Sequence, residues 1–301
     1  VEVYENHQPI KALKDLVASN QAALNLKLKK EARGTWNSTL QLGAGYKPWM
    51  WNAEATAMYF GRNFQTIDTY KTNNTGDDVS RELTSFYDGL DATSSLLGIH
   101  RPTEPSLDKE RYLDNEIHTV STNAIVKLRK DLELTANAHY IHDFQTSEGG
   151  SITTYYLPDA VPLVIEEQTF ADRRTDRTEV NLQLRSNTER HYLQEKLTFG
   201  GQWDTDYGRV VNDGERVDQR FRLPKITLRN LFTGVRRWSR WAVNFRSETD
   251  YTTQPTSLRI RPMLYPEVFD APADYPDALQ TLDSRRFRTR NSAFTSYLVG
   301  R

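Results

Sequence analysis

The stretch WMWNAEATAMYFG, residues 49–61, decides how this chain is read. Taken alternately, Trp49, Trp51, Ala53, Ala55, Ala57 and Tyr59 fall on one side with aromatic rings at its ends, while Asn52, Glu54 and Thr56 fall on the other. Successive side chains of an extended strand point to opposite faces, so this pattern predicts a two-faced β-strand. From Trp51 to Tyr59 such a strand climbs about 26 Å, or about 20 Å along a membrane normal at a tilt of about 40°. That is close to the apolar band of an outer-membrane barrel, roughly 25 Å tall and edged by aromatic girdles.

The same design recurs along the chain. WNSTLQLGAGY sets Trp36, Leu40, Leu42, Ala44 and Tyr46 against Asn37, Thr39 and Gln41, and TVSTNAIVKLR sets Val120, Ala124, Val126 and Leu128 against Thr119, Ser121, Asn123 and Lys127. DLELTANAHY places Leu132, Leu134, Ala136, Ala138 and Tyr140 opposite Asp131, Glu133, Thr135, Asn137 and His139. WAVNFRSETDY places Trp241, Val243, Phe245 and Tyr251 opposite Asn244, Arg246, Glu248 and Asp250, and EVNLQLRS and LTFGGQW are shorter versions. These strands are expected to run about 10 to 13 residues, twice the usual five or six of soluble domains.

Composition sets limits on the class. The chain has 301 residues, of which 26% are charged and 37% hydrophobic, and its mean hydropathy is −0.71. No run approaches the roughly 18 apolar residues of a spanning helix, which excludes a helical membrane protein. Lys plus Arg, 39, nearly balances Asp plus Glu, 40, so no global field attracts nucleic acid. The absence of cysteine removes disulfides, thiolate metal sites and Cys nucleophiles together.

Connections are read as short at Lys130, 186–191 and 235–240, and as long and polar at 76–114, 145–166, 206–218 and 252–286. Tight turns on one side and large loops on the other are the habit of outer-membrane barrels. Alternation alone is equally what a soluble β-sandwich displays; strand length, aromatic ends and unequal connections weigh toward the barrel. Three readings stand side by side at this point: a transporting barrel, a passive barrel that scaffolds surface lipoproteins, and a secreted glycan-binding sandwich.

VEVYENHQPIKALKD with ALNLKLKK, YKTNNTGDDVS, and RYLDNEIHTVSTNAIVKL resemble the TonB-dependent receptors of Bacteroidetes-type bacteria, in the subgroup with a carboxypeptidase-regulatory-like N-terminal domain. TEVNLQLRSNTERHYLQEKLTFGGQW is similar to a later hairpin of that barrel wall. The resemblance implies that residues 1–34 are the C-terminal end of a plug domain and residues 35–301 the first part of an outer-membrane β-barrel, an internal fragment of a longer importer. It further implies energised nutrient uptake, with TonB engaged through a segment outside these residues, outer-membrane lipid around the wall, and a surface lipoprotein as possible partner.

The remaining chemistry is sparse. His139 and His142, three apart in a strand, point to opposite faces and do not form a shared metal site. Asp204 and Asp206 share a face, but one such pair falls short of the six to eight oxygens of a Ca²⁺ site. No G-x-S-x-G, H-E-x-x-H or P-loop spacing occurs, and neither catalysis nor a cofactor is expected. TNNTG (72–76) reads as a loop entrance. Functional weight therefore falls on two sets of residues. Asn52, Glu54, Glu133, Asn137, His139, Asn181, Arg246 and Glu248 are expected to face a lumen or plug. Trp36, Tyr46, Trp49, Trp51, Tyr59, Tyr140, Trp241 and Tyr251 are expected at the lipid interface.

Overall fold

The computed structural model describes residues 2–4, 8–14, 16–17, 22–25, 34–80, 95–156, 161–264 and 276–297. Two short strands, β1 (Glu2–Tyr4) and β2 (Ala23–Asn25), pair antiparallel, with a 3-10 turn at Lys11–Leu13 between them. The expected strand over 23–30 is thus described only as far as Asn25.

Ten further strands follow: β3 (Thr35–Gly45), β4 (Met50–Phe60), β5 (Phe64–Asn73), β6 (Asp114–Arg129), β7 (Leu132–Tyr155), β8 (Leu163–Asn187), β9 (His191–Asn212), β10 (Glu215–Trp238), β11 (Trp241–Arg261) and β12 (Ala278–Tyr297). Each pairs antiparallel with the next in one ten-stranded meander, with β3 and β12 at its edges. A sandwich needs a second sheet stacked about 10 Å away. Among the described residues the only other sheet is the β1–β2 pair. No helix there is long and apolar enough to cross a membrane.

The alternation seen in the sequence is preserved across the register. Leu40 lies opposite Ala55, Ala55 opposite Tyr70, Tyr70 opposite Val120 and Val120 opposite Tyr140, so one apolar face runs from strand to strand. It continues through Val180 beside Phe199, Phe199 beside Leu228, and Leu228 beside Tyr251. Among the described residues nothing covers this face: Leu40 and Leu42 are 68% and 71% exposed. Carboxylates interrupt it, Asp68, Asp176 and Glu195 among them. Asp68 accepts hydrogen bonds from Thr66 (3.0 Å) and Thr122 (2.5 Å), and Glu195 accepts one from Asn230.

The strands outrun the expectation. β7 to β11 have 21 to 25 residues, and a 25-residue strand spans roughly 80 Å. Three expected loops are accordingly mostly sheet: 145–166 contracts to 156–162, 252–286 to 262–277, and 206–218 to the two-residue turn Asp213–Gly214. These segments carry polar side chains on both faces, so period-two hydrophobicity gives no signal, and backbone pairing with equally long neighbours extends them. The last turn was legible: Asp213 (φ 48°) and Gly214 (φ 85°) adopt the left-handed backbone that makes Asp-Gly a strong hairpin signature. Strands β5 and β12 carry weaker alternation and are additions made by the fold.

At one end of the sheet every connection is short: 61–63, 130–131, 188–190 and 239–240. The opposite, loop end mixes the tight turns 46–49 and 213–214 with the longer 74–113, 156–162 and 262–277.

Candidate functional site

The face opposite the apolar one is polar, and two segments fold onto it. At the turn end, Ala12 is fully buried against Val235 of β10 and Ala242 of β11, with Ile10, Leu13, Leu16 and Tyr192 packed around it. Hydrogen bonds fix the segment in place. The Lys11 N–H donates to Asn187 Oδ1 (3.0 Å), Asn187 Nδ2 to the Pro9 carbonyl (2.8 Å), and the Arg237 guanidinium to the Lys14 carbonyl (2.9 Å).

At the loop end, the β5–β6 connection returns across the sheet. Val79 packs on Ile117 and Ile141, and Gly76 (φ 82°) sits so close to the Glu110 carbonyl that a Cβ there would lie 2.7 Å from the oxygen. The Gly76 N–H donates to Asn115 Oδ1 (3.0 Å), and Lys109 pairs with Asp78 (3.1 Å). Further along, Arg101 bonds Asp206 of β9, which also receives Arg173 of β8 (3.3 Å). The His100 N–H donates to Gln219 of β10 (2.8 Å), and its ring lies 3.1 Å from Glu167. Loop and wall enclose a cavity of about 720 Å³ bounded by Asp78, Arg101, Tyr112, Asp143, Arg173 and Arg177.

Between these two covers lies an open polar basin of about 370 Å³. Asn137, Asn181, Arg246 and Glu248 converge there from β7, β8 and β11, together with Glu179, Lys196, Thr198 and Arg229. Asn181 donates to Glu179 (2.5 Å) and accepts from Thr198 (2.6 Å), while Arg229 pairs with Asp250 at 2.6 Å and Arg246 with Glu248 at 3.8 Å. Such a surface offers many hydrogen bonds and balanced charge, without a nucleophile aligned on a base.

All eight polar residues singled out in the sequence occupy this face, but only those four share the basin. Glu133 pairs with Arg185 (2.8 Å) nearer the turn end, His139 lies one face position beyond Asn137 toward the loop end, and Asn52 and Glu54 stand on β4, with Glu54 paired to Lys71 (3.2 Å). Asp204 and Asp206 share the face as expected and are met by arginines, Asp204 at 3.6 Å from Arg177. No cluster of three or more His, Cys, Asp or Glu side chains suited to a metal occurs among the described residues. His142 is on the apolar face, where it and Tyr140 both contact Asp176 (2.8 and 2.6 Å).

Six of the eight aromatics lie on strands of the apolar face; Tyr46 and Trp49 belong to the turn 46–49 instead, because β4 begins at Met50. Trp36 packs against Tyr59 at a tilt (ring centroids 4.9 Å apart) at the turn end. There the structure adds Trp238 stacked on Trp241 (5.0 Å), opposite Tyr297. Toward the loop end it adds Tyr70 and Trp203. Arg101, Arg173 and Asp206 carry no signal in the sequence as a group, since 105 residues separate Arg101 from Asp206.

Beyond the aromatic residues, near the loop end, Asp218 illustrates the local electrostatics. Partial burial pushes its carboxyl up, but hydrogen bonds and charge from Arg216 and Arg209 outweigh this and hold it below the ordinary 3.8. Comparison with models of known protein families gives no match, and comparison with curated proteins gives none.

Proposed function

We propose that this sheet is part of the wall of an outer-membrane β-barrel that imports a nutrient under TonB control. The observation that carries the reading is the division of one continuous sheet. An apolar face that no described residue covers, with aromatic residues toward both ends, backs a polar face onto which residues 8–14, 16–17 and 95–113 fold. Lipid suits the first surface and a watery, partly plugged lumen the second. A segment preceding the wall and docked at the turn end of the polar face occupies the position where the end of a plug would meet the barrel. In this reading Asn137, Asn181, Arg246 and Glu248 line the path, and the loop over Asp206 takes part in capture. An open sheet edge is untenable in lipid. The reading therefore requires that β3 and β12 pair with further strands in the native assembly.

Two measurements test this. Ala55→Arg and Val243→Arg place a cation on the apolar face; at the midplane each is expected to cost about 2–4 kcal/mol and to abolish recovery from the outer-membrane fraction. Equal recovery of variants and wild type refutes the membrane assignment. Uptake of the physiological nutrient that persists after deletion of TonB leaves a barrel but removes the energised mechanism, and the passive barrel then stands.

A further inference from the structure

Past the aromatic residues toward the loop end, the outward face changes character. In β8–β11 it presents seven arginines, Arg174, Arg209, Arg216, Arg220, Arg222, Arg259 and Arg261, on the same side as Leu182, Phe199 and Leu228. Acidic neighbours are fewer, and all but the exposed Asp172, which lines the same cavity, are engaged. Asp218 is shared by Arg209 (3.4 Å) and Arg216 (2.8 Å), Asp277 by Arg259 (4.0 Å) and Arg261 (3.4 Å), and Arg174 turns to Asp176 (3.1 Å). Arg220 is different. Its guanidinium lies over the Tyr207 ring at 5.1 Å, and its Nε is buried without a hydrogen-bond partner. Arg222, exposed and one face position closer to the apolar region, is followed by Pro224 opposite Trp203. A cavity of about 470 Å³ opens on this patch, walled by Phe170, Tyr207, Arg209, Arg220, Arg259 and Arg261.

We propose that Arg220 and Arg222 bind the phosphate of a phosphorylated glycolipid in the outer leaflet, with its acyl chains lying on Trp203, Pro224 and Leu228. This rests on the membrane reading above and goes beyond it by assigning a lipid class to a site. The chemistry is that of a fork-shaped cation pre-set by stacking and lacking an acceptor, which phosphate oxygens satisfy in two parallel hydrogen bonds. Height agrees: Arg222 and Arg220 stand about 7 and 13 Å along the strand from Pro224, where headgroups follow the acyl region. The remaining arginines are each paired with a carboxylate, so the unpaired positive charge of the patch rests on these two residues, against the single exposed carboxylate of Asp172.

The test uses natively extracted protein inserted into phosphatidylcholine vesicles containing a minor fraction of lipid A, in phosphorylated or dephosphorylated form. Retained lipid A is counted by mass spectrometry. Wild type is expected to retain the phosphorylated form at least about tenfold over the dephosphorylated form and over R220Q/R222Q, with R220K/R222K intermediate. Inorganic phosphate at millimolar concentration is expected to compete weakly, because it brings no acyl chains. Equal retention by wild type and R220Q/R222Q overturns the proposal, as does full displacement by inorganic phosphate, which would mark a simple anion site. Failure of the wild type to insert into phosphatidylcholine vesicles alone overturns the membrane reading itself. Insertion without phosphate selectivity overturns only the lipid assignment.

Discussion

Asp206 fixes the β5–β6 loop to the wall, and the strength of that attachment can be worked from its surroundings. The carboxylate side chain is 2% exposed and touches Arg101 of the loop and Arg173 of the wall, which retain 35% and 38% of their surface in water. The arrangement is asymmetric. Removing the acid leaves two guanidiniums that can rehydrate, so Asp206→Asn is expected to cost about 1–2 kcal/mol of loop docking. Removing both cations leaves a buried carboxylate with no counter-charge, and Arg101→Gln with Arg173→Gln is expected to cost about 3–5 kcal/mol. Trypsin reads this directly, since Lys109 and Arg111 lie in the docked loop. When opening and closing are fast relative to cleavage, the cleavage rate tracks the population of the open form. Cutting at Lys109 and Arg111 should thus accelerate about 5- to 30-fold in Asp206→Asn and more than about 100-fold in the double variant. Cleavage must be located by mass spectrometry, because sites elsewhere do not report on this loop. A double variant that is cut no faster than Asp206→Asn refutes the reasoning, for it would mean that the carboxylate is not held against desolvation by those two arginines.

Three further outcomes are expected. Gly201→Val places a Cβ only 2.4 Å from the Trp203 ring, so the indole must leave the apolar face; a cost of about 1–3 kcal/mol and a red-shifted tryptophan emission are expected, and an unchanged spectrum would count against the packing. Ala12→Asp puts an unpaired carboxylate among Val235, Ala242 and Leu13, and residues 8–17 should detach at a cost of at least about 2 kcal/mol, read as faster tryptic cleavage at Lys11 and Lys14. Asp218 should titrate below 3.8 by carboxyl NMR and move upward in Arg216→Gln. Its folded pKa is the lower one, so its pairing stabilises the fold above the unfolded value and is lost as pH falls below about 3.8; titration at or above that value contradicts the pairing.

Particular residues show how far the sequence reached. The alternation of Trp51, Ala53, Ala55 and Tyr59 against Asn52, Glu54 and Thr56 is a local code, because a strand's two faces follow from backbone geometry alone. That code assigned every one of the eight polar candidates to a common face, and Lys130, 186–191 and 235–240 to tight turns. It stopped where both faces became polar, at Ile141–Tyr155 and Asp204–Asn212, since pairing there depends on main-chain hydrogen bonds that every residue type can supply. The Asp213–Gly214 signature was present and outweighed by the polarity around it.

By itself, then, the sequence determined that the chain forms long two-faced strands, which residues share a face, and where three of the short turns lie, because each of these depends on neighbours one to a few positions apart. Only the tertiary structure decided the rest. The strands run to 25 residues, the β5–β6 loop folds back so that Arg101 meets Asp206 and Arg173, Ala12 lodges under β10 and β11, and Asn137, Asn181, Arg246 and Glu248 share a basin while Asn52 and Glu54 stand apart. These contacts join residues from about 30 to more than 200 positions apart. Their partners are set by sheet register and loop path, and no local pattern of side chains encodes either.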